Sequence, residues 1–301
     1  IPFFNNREFI VLLRQLISEG TATVSQAFPE REAREMVLLY LGHALGTSRH
    51  THVVEPSYEV SDVHASDAMK AFARMAAGEP IQYIIGMAYF YGREFLVTPD
   101  VLIPRPETEL LCREVIDWAQ SCGLPSDRLR VADLCTGSGC IAWTLALELP
   151  GADVIAVDIS DGALDVAAGQ SFGKDGCKSP SFYKADVLAG PQDRFGTFDV
   201  MVSNPPYVME SEKALMRKNV LEHEPELALF VPDNDPLIFY RAVADWAKNL
   251  LRPGGLCFVE INEALGEETA DVFRDRGFRD VQVVKDLSER DRFLRAIQEL
   301  I

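Results

Sequence analysis

The sequence has little positive charge and no long apolar run. Of its 301 residues, 29 are Lys or Arg and 46 are Asp or Glu, which leaves a net charge of −17. Stable nucleic-acid binding draws its affinity from Lys and Arg that neutralise phosphates, so we expect none here. No stretch reaches the roughly 18–20 apolar residues of a membrane span, and no basic segment precedes an apolar one as in a signal peptide. These absences predict a soluble, cytoplasmic protein that does not bind membranes.

The chain also lacks the spacing of metal-binding cysteines and histidines. Its six cysteines include no Cys-x-x-Cys pair, and its five histidines are scattered. Structural zinc sites and disulfide frameworks need such clusters, so we predict neither a metal nor a disulfide. The cysteines are interpreted as reduced thiols.

The first part of the chain, residues 1–80, shows the apolar spacing of helices. One helix is predicted from Phe9 to Gly20, a second from Pro29 to Gly46, and a third that ends near Gly78, each stopped by a glycine. We interpret residues 1–80 as a small helical domain. The chain begins at Ile1, which leaves open whether residues precede it.

The pattern changes after residue 80. Residues 81–105 are predicted to form a hairpin, with its turn at Gly92, and a linker. In residues 106–301, short apolar runs alternate with helical ones, which predicts an α/β fold with a mostly parallel sheet and helices on both faces. The predicted strands are 130–134, 153–158, 180–184, 198–203, 256–261, 278–284 and 292–297.

A loop that contains two glycines follows the first of these strands. Ligands of open parallel sheets bind beyond the carboxyl ends of the strands, and glycine lets the backbone approach a ligand closely. Asp133 precedes the loop, and Asp158 ends the second strand, where a carboxylate can accept the hydroxyls of a ribose. The spacing is not the G-x-G-x-x-G of dinucleotide sites, and Asp133 suits an amino-bearing ligand better than a diphosphate. The loop residues are Cys135, Thr136, Gly137, Ser138 and Gly139.

This arrangement resembles class I S-adenosylmethionine-dependent methyltransferases, which have a Rossmann-like, mostly parallel seven-stranded sheet. The resemblance implies S-adenosylmethionine as the cofactor, with the glycine loop and Asp133 near its methionine part, Asp158 on the ribose, and Asp186 and Val187 near the adenine. In that family the first loop position is often glycine, whereas this chain has Cys135. We expect cysteine to be tolerated there with a negative φ.

Two prolines follow an asparagine at the end of the predicted strand 198–203, in the sequence Asn204, Pro205, Pro206, Tyr207. Proline carries no N–H and disfavours helical backbone in the residue before it. The Asn204 side-chain oxygen and the Pro205 carbonyl are therefore predicted to be two fixed acceptors, which suit a planar NH₂ group. Tyr207 is predicted to offer that group a flat face.

Acceptors of this kind stabilise the positive charge that grows on a nitrogen as it takes a methyl group. These four residues are therefore predicted to be catalytic, and Asn204 is also predicted to lie beside the cofactor. An Asn-Pro turn that merely ends a strand is the structural alternative.

Several segments together resemble the HemK (PrmC) family, whose members methylate the side-chain N5 of the glutamine in the Gly-Gly-Gln motif of peptide chain release factors. The resemblance covers nearly the whole chain. It implies the same activity, a release factor as partner, and a substrate-recognition role for residues 1–80, with residues 106–301 as the catalytic domain. The segments that carry it are PIQYIIG (80–86), VLIPRPETELL (101–111), DLCTGSGCIA (133–142), NPPY (204–207), EPELAL (224–229) and KDLSERDR (285–292).

Other functions share parts of this pattern. Glutamine methylation of ribosomal protein L3 is one alternative, but that sister family lacks the Pro-Glu-Thr-Glu sequence found here at 106–109. A nucleic-acid adenine-N6 methyltransferase is less favoured because residues 1–80 carry 7 Lys and Arg against 10 Asp and Glu. The presence of Asn204 and the glycine loop argues against a non-catalytic adaptor. A Rossmann dehydrogenase is a further alternative, and it would bind a nicotinamide cofactor rather than S-adenosylmethionine.

A few positions stand apart from the main motifs. Glu260-Ile261-Asn262-Glu263 lies where the HemK family usually carries glycine after the isoleucine, which is expected to alter the edge of the pocket. Arg105 and Glu107 are interpreted as ion-pairing residues at the joint between domains. His223 is not favoured as a proton acceptor, because the methylated amide can lose its proton to water.

Overall fold

The computed structural model describes residues 11–123, 125–172 and 177–299. These residues form two compact units, of which the first contains residues 11–86 and 217–223 and the second contains the rest. The sequence pattern associates 217–223 with the catalytic part, so their place in the first unit is a feature that only the structure reveals. Among the described helices, none is both long and apolar enough to cross a bilayer.

The first unit is mainly helical, as the apolar spacing predicts. Its core contains Leu16, Val37, Leu41, Phe72 and Met75, all buried. Its two short strands pair in antiparallel fashion. The elements are β1 (Val11–Leu12), α1 (Leu13–Val24), α2 (Glu30–Leu45), α3 (Thr51–Val54), β2 (Glu59–Val60), α4 (Asp62–Ala76), α5 (Ile81–Ile85) and a later short helix (Lys218–His223).

The first helix does not end where its glycine predicts. α1 continues through Gly20 to Val24, and the predicted start at Phe9 lies outside the described residues. A Cβ atom on Gly20 would lie 2.5 Å from a ring carbon of Phe72, so this glycine allows close packing of α1 on α4 rather than a stop. Gly46, by contrast, follows α2 with a φ of +66°, the left-handed conformation that ends helices.

The second unit is an α/β fold. It contains a β-hairpin, a central sheet with flanking helices, and several 3₁₀ turns. The strands are β3 (Met87–Phe90), β4 (Arg93–Leu96), β5 (Arg130–Leu134), β6 (Asp153–Asp158), β7 (Ser181–Lys184), β8 (Phe198–Ser203), β9 (Val208–Met209), β10 (Phe230–Val231), β11 (Leu251–Glu260), β12 (Arg279–Lys285) and β13 (Asp291–Ile297). The helices are α6 (Thr108–Ser121), α7 (Cys140–Glu148), α8 (Asp161–Gly169), α9 (Ile238–Leu250) and α10 (Gly266–Arg274).

The central sheet has seven strands in the order β12-β13-β11-β8-β5-β6-β7. The five strands from β11 to β7 are parallel, and only β12 and β13 introduce antiparallel pairs. From β5 the chain builds β6 and β7 on one side and then returns to place β8 on the other. The ends of β5 and β8 are therefore the point where the strand order reverses, which is where open α/β sheets bind ligands.

The two faces of the sheet carry separate hydrophobic clusters, as a sheet covered by helices on both sides requires. α6 and α7 pack on one face through residues such as Leu111 and Leu145. α9 and α10 pack on the other face, where Trp246 and Phe273 are buried. Sheet order, strand direction and helix placement together are those of the class I methyltransferase fold predicted from the sequence.

One strand begins earlier than predicted. β11 starts at Leu251 rather than at residue 256, and its register with β8 shifts between Leu251 and Leu256. The intervening Pro-Gly-Gly sequence is typical of a turn, which is why the pattern does not indicate a strand there. The regular part of β11 ends at Glu260, level with the end of β8.

Candidate active site

A cavity of about 300 Å³ lies at the reversal point of the sheet. Its walls come from the segments that follow β5, β6, β7 and β8, together with the chain before α6 and the segment after residue 224. Of the residues predicted for the site, the walls contain Cys135, Thr136, Gly137, Ser138, Asp158, Asp186, Val187, Asn204 and Pro206. Four predicted residues do not line it, namely Asp133, Gly139, Pro205 and Tyr207.

The glycine loop is held in place by backbone hydrogen bonds to the neighbouring strand. Thr136 N–H donates to the carbonyl of Val157, and Gly137 N–H donates to Oδ2 of Asp158 at 2.9 Å. Gly137 and Gly139 have φ values of +54° and +77°. Both values lie in the left-handed region that glycine adopts without a steric cost, so the glycines are needed for the turn itself.

The main chain at Cys135 contradicts the expected negative φ. Its φ is +59°, in the left-handed region where a Cβ atom crowds the backbone. Cys135 is the residue between the end of β5 and Thr136, whose N–H is bound to Val157 of β6. Such a conformation costs on the order of 1–3 kcal/mol and is found preferentially at functional sites. A glycine would occupy this position without strain, which accounts for its frequency there in methyltransferases.

Asp133 lies beneath the loop and is fully buried. Its Oδ2 accepts a hydrogen bond from the Thr136 hydroxyl at 2.6 Å, while its Oδ1 has no partner among the described residues. Burial, with a smaller contribution from the nearby Asp158, raises the pKa of Asp133 to about 7, although hydrogen bonds from Thr136 and the Ala142 backbone lower it. A buried carboxylate oxygen without a partner is costly, so this atom is suited to a cationic or amino group.

Two further carboxylates stand at the cavity wall, after β6 and β7. Asp158 accepts the N–H groups of Gly137 and Ser160, at 2.9 and 3.0 Å, and burial raises its pKa. Asp186 begins a 3₁₀ turn and accepts the N–H of Leu188 at 2.9 Å. Backbone donors hold both side chains in place and leave further lone pairs free for a ligand.

Asn204, at the end of β8, belongs to a buried hydrogen-bond network that the sequence does not reveal. Its Nδ2 lies 3.4 Å from Oγ1 of Thr108, whose hydroxyl donates to Oε2 of Glu260 at 2.7 Å. The Tyr207 hydroxyl donates to the other oxygen, Oε1, at 3.0 Å. Glu260 is 1% exposed. The sequence signal that could have indicated Glu260 is its place as an acidic residue after an apolar run, at the carboxyl edge of the predicted sheet.

The segment after Glu260 also supports the Asn-Pro-Pro-Tyr loop. Nδ2 of Asn262 donates to the carbonyl of Tyr207 at 3.1 Å and to Glu212 at 3.0 Å. Asn262 N–H in turn donates to the Tyr240 hydroxyl. This asparagine lies one position after Ile261, where the HemK family was expected to carry glycine, and a glycine has no side chain to make these bonds.

Arg105 pairs with Glu224 rather than with Glu107. The guanidinium lies 2.6 Å from Oε1 of Glu224, which is nearly fully buried, and Oε2 accepts the N–H of Ile103. The Glu-Pro-Glu segment (224–226) is thereby attached to the Ile-Pro-Arg-Pro segment (103–106), and both segments contribute residues to the cavity wall. His223 belongs to the first unit and does not line the cavity.

Within the described residues, no group of three or more His, Cys, Asp or Glu side chains could hold a metal ion. All six cysteines are free thiols. Burial raises the pKa of Cys135 and Cys140, which both line the cavity, so neither is an activated nucleophile. The chemistry available at the site is that of hydrogen-bond acceptors and carboxylates.

The chain is similar in sequence to known families and proteins. Residues 15–86 match the family model described as PrmC N-terminal domain, and residues 121–227 match the one described as Methyltransferase small domain. A release factor glutamine methyltransferase of Bacteroides thetaiotaomicron is 40% identical over 274 residues, which cover 91% of this chain and 96% of that protein. A release factor glutamine methyltransferase of Flavobacterium psychrophilum is 34% identical over 288 residues, which cover 95% of this chain and 99% of that protein.

A solved structure, the 16S rRNA N2 G1207 methyltransferase of T. thermophilus in complex with AdoMet and guanosine, has a TM-score of 0.48 and 21% identity. The match between the two structures covers 71% of this chain and 50% of the T. thermophilus chain. The family assignment rests instead on the sequence relatives, which match the chain over nearly its whole length. The chain belongs to the family of release factor glutamine methyltransferases.

Proposed function

We propose that the protein transfers a methyl group from S-adenosylmethionine to the side-chain N5 of the glutamine in the Gly-Gly-Gln motif of peptide chain release factors. The observation that carries the proposal is the shared cavity. Asn204 and Pro206 stand in the same wall as the glycine loop and Asp158, so a planar amine and a nucleoside ligand can meet there. The relatives with the same domain composition are named for this reaction.

The residues at the cavity fit S-adenosylmethionine, which supplies a sulfonium methyl group when it is bound. The glycine loop, residues 135–139, would hold the methionine part, and Asp133, buried beneath that loop rather than in the cavity wall, would be the nearby carboxyl group for its amino end. Asp158 would accept the ribose hydroxyls. Asp186 and Val187, both in the wall, would meet the adenine.

Asn204, in the cavity wall, would bind the glutamine amide, with the carbonyl of Pro205, which lies behind the wall in this structure, as the second acceptor. An amide nitrogen is a poor nucleophile because its lone pair is delocalised into the carbonyl. As the nitrogen takes the methyl group, its N–H bonds become stronger donors, and the two acceptors stabilise the positive charge. The prolines restrict the backbone, so these acceptors are positioned before the substrate arrives.

Tyr207 would offer its ring to the substrate amide, and the bonds from its hydroxyl to Glu260 and from Asn262 to its carbonyl hold it in position. The N–CH₃ bond would form as the S–CH₃ bond of the sulfonium breaks, which would release a neutral thioether and leave an extra proton on the amide nitrogen. That proton is acidic enough to pass to water, so no side chain needs to act as a base.

We also propose the partners and location of the enzyme. Residues 1–80 would grip the release factor, and residues 106–301 would carry out catalysis, joined by the hairpin and linker 81–105. The enzyme would work in the cytoplasm, without stable binding to nucleic acid or membranes, as its net charge of −17 suggests.

The experiment is intact-mass analysis of an unmethylated release factor after incubation with the protein and S-adenosylmethionine. A release factor with its Gly-Gly-Gln glutamine changed and unmethylated ribosomal protein L3 serve as controls. We expect one added methyl group on the release factor and none on either control. Methylation of L3 alone would move the protein to the sister activity, and transfer to none of the three would contradict the proposal.

A further inference from the structure

The side-chain amide of Asn204 has two ends with opposite chemistry. Its oxygen accepts hydrogen bonds and its NH₂ group donates them, and a rotation of 180° exchanges the two. The proposed function requires the oxygen to face the cavity, because a donor would oppose the N–H groups of the substrate amide. Something in the protein must therefore hold the amide in one of its two orientations.

The hydrogen-bond chain behind Asn204 permits only one direction. Glu260 is held by two hydroxyl donors on separate oxygens, Thr108 on Oε2 and Tyr207 on Oε1. An ionised carboxylate has no proton to donate, so the single hydroxyl proton of Thr108 is committed to Glu260. Oγ1 of Thr108 then has only lone pairs for its other neighbour, and Asn204 can satisfy it only with its NH₂ group.

Burial raises the pKa of Glu260, but its two hydrogen-bond donors and a nearby guanidinium favour the ionised form. The guanidinium of Arg292 and the two hydroxyl donors oppose the rise in pKa that burial causes, while Glu107 adds to that rise. Arg292 is only 16% exposed and also pairs with Asp286 at 3.4 Å and Glu263 at 3.6 Å. Two hydroxyl donors on one carboxyl group, with a largely buried guanidinium nearby, are the surroundings expected for a carboxylate.

We propose that Glu260 and Thr108 are positioning residues that set the orientation of the Asn204 amide, so that its oxygen rather than its nitrogen faces the substrate. The carboxylate of Glu260 accepts the Thr108 hydroxyl proton, and the Thr108 oxygen then accepts a hydrogen bond from the Asn204 NH₂ group. This inference rests on the proposed function for the role of Asn204, but the orientation itself is a property of the free protein.

Thr108 offers a matched pair of variants. Thr108→Val keeps the shape and removes the hydroxyl, so Asn204 is free to rotate, and we expect kcat to fall by about 10–100-fold. Thr108→Ser restores the hydroxyl and should recover most of that loss. KM and the affinity for S-adenosylmethionine should change little in both variants, because the amide orientation acts on the reacting nitrogen.

The variant Glu260→Met distinguishes a positioning role of Glu260 from a purely structural role. Without the carboxylate, the Thr108 proton can turn to the Asn204 oxygen, and the amide then presents its NH₂ group to the cavity. We expect kcat to fall by about 100-fold or more, since a stabilising acceptor becomes an opposing donor. Adding Thr108→Val removes the misdirected proton, so the double variant should be faster than Glu260→Met alone.

Tyr207→Phe removes the other bond to Glu260 and measures how much of the effect passes through the tyrosine. A double variant that is slower than Glu260→Met, or Thr108→Val and Thr108→Ser with equal rates, would overturn the proposal. The thermal midpoint and the cofactor affinity of each variant show that it is folded.

A measurement on the unaltered protein separates this inference from the proposed function. In protein with ¹⁵N-labelled asparagine side chains, the NH₂ protons of Asn204 should show nuclear Overhauser effects to the Thr108 methyl group. Their absence in the wild type would overturn the orientation, whatever the substrate. Their presence, with no methylation of any release factor, would support the orientation and contradict the proposed function instead.

Discussion

The backbone N–H of Gly137 donates a hydrogen bond to Oδ2 of Asp158 across 2.9 Å. This bond joins the loop after β5 to the end of β6, so one carboxylate both shapes the glycine loop and faces the cavity. A change at Asp158 is therefore expected to affect two parts of a nucleoside ligand at once.

Asp158→Asn should weaken S-adenosylmethionine binding by about 10–100-fold, because hydrogen bonds to a charged group contribute about 1.5–3 kcal/mol. An asparagine can offer only one acceptor atom, so either Gly137 or Ser160 loses its partner. Isothermal titration calorimetry measures the affinity. Asp161→Asn is the matched control, since Asp161 is exposed and its ion pair within the described part of the chain is with Lys184. Equal affinities for the two variants would contradict the assignment.

Asn204→Ala should abolish methyl transfer while the cofactor still binds. We expect the single-turnover rate to fall by about 10²–10³-fold, the usual effect of removing one stabilising partner of a growing charge. The Kd for S-adenosylmethionine should stay within about threefold, less than 1 kcal/mol. Asn249→Ala, on the exposed face of α9, is the control. Loss of binding and of rate to the same degree would mean that Asn204 serves the cofactor instead.

The left-handed backbone of Cys135 makes its substitutions asymmetric. Cys135→Val places a β-branched side chain at a φ of +59° and should lower the free energy of unfolding by about 1–3 kcal/mol. Cys135→Gly should stay within about 1 kcal/mol of the wild type, because relief of strain offsets the greater freedom of the unfolded chain. Urea denaturation compares the two, and a glycine variant less stable than the valine variant would contradict the strained backbone.

The pKa of Asp133, about 7 in the folded protein, predicts a pH-dependent stability. In the unfolded chain the group titrates near its ordinary value of about 4, so between pH 4 and 7 the folded state binds more protons. Stability in the absence of ligand should therefore fall as the pH rises through this window, and level off above about pH 7. This contribution belongs to the neutral carboxyl group, which is buried without a charge.

Asp133→Asn stays neutral at every pH and should lack that decline. Urea denaturation at about pH 5 and pH 8, for the wild type and the variant, isolates the contribution because other groups titrate alike in both proteins. A difference between the two proteins that does not change with pH would contradict a pKa near 7 for Asp133 in the folded state.

Local patterns in the sequence predict most of the sheet and the loops at its edge. Parallel strands buried on both faces are continuous apolar runs, so their ends are easy to locate, and the residues that follow them meet at one edge. Asp158, Asp186 and Asn204 accordingly line one cavity. Their roles in binding and catalysis stay predictions that the measurements above address.

Long-range partners are what the sequence could not predict. Thr108 and Glu260 are 152 positions apart, and Arg105 and Glu224 are 119 apart. No local periodicity indicates which buried acid will meet which donor. Gly20 shows the same limit, because a glycine that ends a helix and a glycine that admits a neighbouring ring look alike until Phe72 is placed.

The order of strands in the sheet has a consequence for biosynthesis. β13 follows β11 and β12 in the chain but lies between them in the sheet, so β12 has no neighbour in the sheet until β13 has been made. Glu260 ends β11 and holds the Asn204 network, and β11 is paired along this side by β13, with Glu260 opposite Phe293. A nascent chain stalled before residue 291 would therefore expose the edge of β11 and would hold its Asn-Pro-Pro-Tyr loop against an incomplete sheet.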